Sequence, residues 1–288
     1  MKRRSLLALC LAALTSTLLA QPVMAAATLT VGLIPAEDSQ AMLENSKLVI
    51  DSLQKQLGMP VKPFIATDYN GIIEALRARK LDVAYLGPFS YVLASSVANV
   101  EAFAVAETKK SGRSFYKSLI IVRRDSGIQN LEQLKGRTMA FVDPSSASGH
   151  LFPSAGLQKI NIDPGKYFSR VIFSGSHDAS ILAVANKKVD GAAVADRILA
   201  AAVAKGAVRQ DDLNVVWTSP DIPESPMVWR RDLDPALKQK IAAAFAAIKD
   251  VPWGDQGVLN GFVKTDDHAY DVVRDTARIL DLDLKAMK

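Results

Sequence analysis

From residue 29 onward, short apolar runs alternate with longer segments in which apolar residues recur every three or four positions. Residues 29–34 form such a run, ended by Pro35, and 39–57 carries Leu43, Ile50, Leu53 and Leu57 at helical spacing before Gly58 and Pro60. This predicts a strand followed by a helix. Residues 61–66 read as a strand, 69–79 as a helix with Ile72, Ile73 and Leu76 inward, and 81–86 as another strand. Gly87 and Pro88 then punctuate the chain before a helix over 89–98.

The alternation restarts at 118–122, a strand, with a short helix over 130–136 that opens on Asn130 and ends in Gly136. Strands at 138–142, 170–173 and 189–194 are each followed by a segment suited to a helix, the last two over 178–188 and 195–205. Two extended runs, 213–218 and 226–230, flank the proline-rich SPDIPESP, and helices are expected over 235–249, about 255–262 and 268–280. Repetition of this kind predicts mostly parallel sheets covered by helices and joined by right-handed crossovers. The restart divides them into two α/β lobes, with crossings near 118–124 and 216–228. The expected division is a signal peptide over 1–26, a first lobe over 27–119, a second over 120–220, and a return to the first lobe over 221–288.

The first residues stand apart from this pattern. Lys2, Arg3 and Arg4 precede an apolar stretch that runs to Ala20 and ends near Ala25-Ala26-Ala27, the layout of a cleaved secretory signal, which places the mature protein in the periplasm. Cleavage changes two further arguments. The formal charge of +5 loses these three cations and becomes +2, so the basic balance does not argue for nucleic acid. Cys10, the only cysteine, also departs, leaving no disulfide and no thiol chemistry. The three histidines, His150, His177 and His268, match no zinc-site spacing, so no metal and no cofactor are expected. With 49% hydrophobic and 23% charged residues, the rest reads as a globular protein, expected to be a monomer.

Two lobes joined by paired segments make a closable cleft, and open α/β sheets bind ligands beyond the carboxyl ends of their strands. DPSSASGH, residues 143–150, lies at such a place. Backbone N–H groups at a helix start are unpaired donors at the positive end of the helix dipole, and small side chains let an anion approach them. Serine hydroxyls add donors that rotate to fit an oxyanion. The candidates are Ser146, Ser148 and the amides of Ala147, Ser148 and Gly149, with plain helix capping as the alternative. His177 stands at the next strand-to-helix turn, where one ring N–H could meet the anion while a neighbour such as Asp178 holds the other nitrogen; a surface-loop histidine is the competing explanation. Tyr69, at a helix start in the first lobe, could close over the ligand. Tyr85, Ser90 and Tyr91 are weaker candidates, since core and cap positions also use such residues.

An enzyme is the competing class. Ser146 or Ser148 with His177 and Asp178 supplies the residue types of a secreted serine hydrolase, but the G-x-S-x-G elbow is absent and Asp178 adjoins His177 in sequence, which disfavours an orienting contact. Neither phosphate-loop nor dinucleotide fingerprints occur.

TLTVGLIPAED, ATDYNGII, LDVAYLGPFSYVLA, SLIIVRRDSGIQNLEQLKG, DPSSASGHLFP, SGSHDASILAVANKKVD and SPDIPESPMVWRRDL together resemble the periplasmic solute-binding proteins of phosphonate and phosphite ABC transporters, most of all the phosphite-binding members. The resemblance spans nearly all of the chain after the signal. It implies a type II periplasmic binding fold, a phosphite or phosphonate ligand and delivery to a membrane permease. It also implies ligand contacts from Tyr69, Ser146, Ala147, Ser148, Gly149 and His177. Ser225, Leu86 and Ala147 stand where aminoalkylphosphonate binders of this kind carry an acid, a tyrosine and a threonine. These departures argue against an amino-bearing ligand and favour phosphite. With no lysine or arginine inside the serine-rich motif, neutral donors and helix ends are expected to hold the anion, with a protonated His177 as an addition. Glu224 and Asp178 are the acids that could still enter the cleft.

Overall fold

The computed structural model describes residues 28–109 and 115–287; the segment on which the signal-peptide expectation rests, with Cys10, lies outside them. The chain begins with β1 (Leu29–Leu33), α1 (Ser39–Leu57), β2 (Val61–Ile65), α2 (Tyr69–Arg77), β3 (Val83–Tyr85), α3 (Pro88–Val97) and β4 (Val100–Thr108). After the short β5 (Phe115–Tyr116) come β6 (Ser118–Arg123), β7 (Thr138–Phe141), α4 (Phe152–Lys159), α5 (Pro164–Tyr167), β8 (Arg170–Phe173), α6 (His177–Ala185), β9 (Gly191–Ala195), α7 (Asp196–Ala204) and β10 (Leu213–Thr218). It closes with β11 (Ile222–Pro223), β12 (Pro226–Arg230), α8 (Pro235–Ala247), β13 (Leu259–Lys264) and α9 (Asp271–Ile279).

Local chemistry sets the helix ends. Asp38 accepts from the amide of Ala41 to start α1, Asp68 from Gly71 to start α2, and Ser176 from Ala179 to start α6. Gly58 ends α1 in the left-handed region, at φ +63°.

The strands assort into two large sheets. The first has the order β13-β4-β12-β3-β1-β2 and the second β10-β6-β9-β7-β8, while β5 and β11 pair between them as a small ribbon. Side chains of β6 alternate between two apolar clusters: Ile120 and Val122 join Leu134, Met139, Phe141 and Leu157, and Ile121 joins the larger cluster that spans the first sheet.

Three expectations are corrected. The sheets are mixed rather than mostly parallel: β1 pairs parallel with β2 and β3, and β7 with β8 and β9, but β12 and β6 run antiparallel to their neighbours. Both β12 and β6 enter their sheets directly after a crossing, on the side where the other strands end, so they must run the opposite way. The first crossing lies at β5 rather than over 118–124, since 118–123 already belong to the second sheet, whereas β11, its partner in the ribbon, falls inside the expected second crossing, 216–228. Finally, the helix expected over 255–262 is a one-turn 3-10 segment, Gly254–Gln256, followed by β13. Gly261, at φ +155° with Ile248 O 3.1 Å from where a Cβ would sit, accommodates a register shift against β4. Strand β4 itself was not anticipated; it lies between β12 and β13 and pairs with both.

Candidate functional site

The carboxyl ends of the strands bring four helix starts together from the two lobes. Across the gap, His177 N–H donates to Ala36 O at 2.9 Å, Asp38 N–H to Asp178 Oδ2 at 3.0 Å, Tyr69 N–H to Asp143 Oδ2 at 3.3 Å, and Ser90 Oγ–H to Ser145 O at 3.0 Å. The lobes are therefore closed on one another where α2 and α3 meet the turn after β7 and where the segment before α1 meets the start of α6.

That turn is unusual in its winding. Ala147–Leu151 form a π-helical turn, with Leu151 N–H donating to Ser146 O at 3.0 Å, and the widened turn leads into α4. Asp143 Oδ1 accepts from Ser145 N–H at 2.7 Å and Ser118 Oγ–H donates to Ser148 O at 2.6 Å, so the turn is pinned at both ends. Ser146 Oγ accepts from Gly149 N–H at 3.0 Å, so helix capping, the alternative explanation of the motif, is realised too. Gly149's amide is thereby engaged within the turn. Its lack of a side chain matters more: a Cβ there would sit 2.4 Å from Val142 Cβ. Among the described residues, the amides of Ala147 and Ser148 meet no protein acceptor. Ser146, Ala147 and Ser148 are all buried, which makes these donors strong and costly to leave unmet.

Tyr69 lies beside Ser146, and His177 opens α6 in the second lobe. Ala195 N–H donates to His177 Nδ1 at 3.1 Å, so the neutral ring carries its proton on Nε2 as a donor. Burial, reinforced by the positive charge of Arg197, lowers the His177 pKa to about 3. The expectation of a protonated His177 is thus corrected, as is that of Asp178 as its orienting partner: Asp178 is hydrogen-bonded to the Asp38 amide instead. Burial, then the Asp143 charge, pushes the Tyr69 phenol well above its ordinary range, keeping it a donor, with the Ser146 hydroxyl beside it. Burial also raises the Asp143 carboxyl despite its two amide partners.

A depressed histidine pKa has a pH signature. Between its unfolded value of 6.5 and about 3, the unfolded chain binds a proton that the folded closed form does not, so stability present above pH 6.5 is lost as pH falls through this window. The full window corresponds to on the order of 5 kcal/mol. Thermal unfolding of the ligand-free protein is expected to decline between neutral pH and about pH 5, and less steeply in His177→Gln; equal slopes would contradict the buried neutral imidazole.

The remaining candidates divide. Ser90 contacts the turn directly, as described. Tyr85 OH accepts from Gln256 Nε2 at 2.9 Å and its ring meets Trp253 edge-on. Tyr91 points elsewhere: its hydroxyl donates to Asp267 and its ring packs on Tyr270 beside α9, within the first lobe. Three residues beyond the sequence candidates line a cavity of about 880 Å³ next to the turn: Tyr116, Arg197 and Gln256. Tyr116 links the two places, since its phenol neighbours the Ser148 hydroxyl. Arg197 lies 4.7 Å over the Tyr116 ring, its Nε is 3.6 Å from Glu224 Oε2, and its Nη2 donates to Ser225 Oγ at 3.3 Å. Burial opposes its charge, but Tyr85, Glu224, Tyr116 and Glu37 outweigh that and raise its pKa. Arg197 was within reach of sequence reasoning, because it follows the end of β9 as His177 follows β8. Gln256 and Tyr116 carry no comparable signal. Glu224, expected as an acid that could enter the cleft, does line the cavity. Among the described residues no group of acids, histidines and cysteines is placed to hold a metal.

A family model described as the periplasmic substrate-binding protein of phosphonate ABC transporters matches residues 31–270. A phosphonates-binding periplasmic protein of Escherichia coli is 36% identical over 217 residues, 74% of this chain and 64% of that protein, so the match spans just under two thirds of its length. A phosphate-import protein of Mycolicibacterium smegmatis is 31% identical over 258 residues, 85% of this chain and 80% of its own. The crystal structure of a binding-protein component of an ABC phosphonate transporter from Pseudomonas aeruginosa is similar at a TM-score of 0.79 and 32% identity, over 87% of this chain and 85% of that one.

Proposed function

This chain belongs to the phosphonate-binding family of periplasmic ABC-transporter proteins, a family of type II binding proteins and not of enzymes, and from that premise we propose that it captures phosphite or a small phosphonate between its lobes. The phosphoryl oxygens are held by the amides of Ala147 and Ser148, the hydroxyls of Ser146, Ser148 and Tyr69, and His177 Nε2–H. The closed form is then presented to a membrane permease. The observation that carries this proposal is the pair of buried amides without a protein acceptor, at the start of a helix and facing three other helix starts.

Ala147 and Leu86 bring no polar side-chain atom to the cradle. A P–H or P–C substituent needs none, whereas a fourth phosphate oxygen left unpaired in a buried place costs at least about 2 kcal/mol. Phosphite, with three oxygens and one P–H, meets this condition, and the cavity lined by Tyr116 and Arg197 extends it to phosphonates. The hydrolase alternative has no support in the geometry, since Asp178 does not orient His177.

Isothermal titration of the protein against phosphite, methylphosphonate, phosphate and sulfate tests the proposal. Phosphite and methylphosphonate are expected to bind at least tenfold tighter than phosphate. Preference for phosphate, the anion in the name of the mycobacterial relative, would overturn the choice of ligand. Binding to none of the four would overturn the phosphoryl cradle itself.

A further inference from the structure

The cavity beside the cradle is too large for phosphite alone and its wall is chemically particular. Gln256 is 6% exposed and lines it; its Nε2 donates to Tyr85 OH, while its Oε1 has no partner among the described residues. Reversing the amide exchanges the two atoms but still leaves one end of the group turned to no protein partner. A buried polar atom in that condition is unfavourable until something in the cavity meets it.

Arg197 stands on the same wall with a permanent positive charge, which is felt at both His177 and Tyr69. Glu224, the acid facing it, is 5% exposed and lies within 3.6 Å of the guanidinium. Its negative charge is thus largely compensated where a ligand would meet it.

From this wall, resting on the phosphoryl-cradle proposal above, we propose that the cavity accepts a short hydroxyl-bearing substituent on phosphorus, making hydroxyalkylphosphonates the preferred phosphonate class. A hydroxyl donates to Gln256 Oε1 and turns its oxygen lone pairs toward Arg197. Alkyl chains satisfy neither group. An ammonium would suit Gln256 but meets the cation of Arg197, with Glu224 already neutralised. A carboxylate would suit Arg197 but places its charge against the lone pairs of Gln256 Oε1. Gln256 and Arg197 act here as specificity-determining residues, distinct from those that hold the phosphoryl group.

Titration calorimetry with 2-hydroxyethylphosphonate, ethylphosphonate and 2-aminoethylphosphonate tests this directly. The hydroxyl compound is expected to bind roughly tenfold or more tighter than the other two, the size of effect that one satisfied buried partner produces. Gln256→Leu is expected to erase that advantage, lowering affinity for the hydroxyl compound far more than for ethylphosphonate, and Arg197→Gln to relieve the rejection of the ammonium compound. Ethylphosphonate binding as tightly as its hydroxylated analogue, or a Gln256→Leu protein that keeps the preference, overturns the proposal. Because Arg197→Gln alters a buried charge, its thermal unfolding is measured alongside, and Gln256→Leu decides if that variant does not fold. Binding of all three ligands without discrimination removes the hydroxyl subsite alone; binding of none, together with failure of phosphite and methylphosphonate, removes the cradle as well.

Discussion

Ser148→Ala and His177→Ala are each expected to weaken capture of phosphite or methylphosphonate by about tenfold to a hundredfold, the effect of deleting one hydrogen bond to a charged partner in a buried site. Both should remain folded. The backbone around Ser148 is held independently by Ser118 Oγ on its carbonyl, and α6 is capped by Ser176 whatever follows it. Titration calorimetry gives the affinities and thermal unfolding the integrity. Unchanged affinity in both variants would remove these residues from the site.

The second large effect is expected at Gly149→Val. A Cβ there would meet Val142 Cβ at 2.4 Å and Val142 Cγ2 at 2.5 Å, so the turn must move away from β7. Overpacking of this kind costs about 1–3 kcal/mol of stability. The larger consequence is for binding, because displacing the turn misaims the amides of Ala147 and Ser148 together. Loss of affinity should exceed about a hundredfold, since two charge-assisted hydrogen bonds fail at once. A variant that is destabilised yet binds as before would mean that the amides of this turn are not what holds the anion.

How well the site could be anticipated follows from what each residue depends on. Ser146, Ala147, Ser148 and His177 are placed by local rules: a strand ends, small or polar residues follow, and a helix begins. Those rules act over a few residues and are written in the order of the chain. The same rules applied at β9 would have pointed to Arg197. Tyr91 fits the same local pattern yet turns to Asp267 and Tyr270, because contacts with the distant α9 decide its direction.

Strands β4 and β13 show the limit on the side of the fold. Val100–Thr108 and Leu259–Lys264 are extended because they pair with each other, and Val100–Thr108 with β12 on its other side, partners far away in sequence. Without that pairing, the segment after Gly257 has too little periodicity to separate strand from helix. The opposite direction of β6 and β12 is likewise a consequence of entering a sheet from a crossing, which no local pattern records.

The sequence by itself determined the alternation of strands and helices, the caps that start the helices and the serine-rich turn suited to an anion, because each rests on backbone geometry within a few residues. Tertiary structure alone decided which helix starts face each other, that His177 is neutral with its donor on Nε2, and that Arg197, Glu224 and Gln256 share a wall beside Tyr116. Those are properties of desolvation and of the distance between separate lobes, and neither exists until the chain has closed on itself.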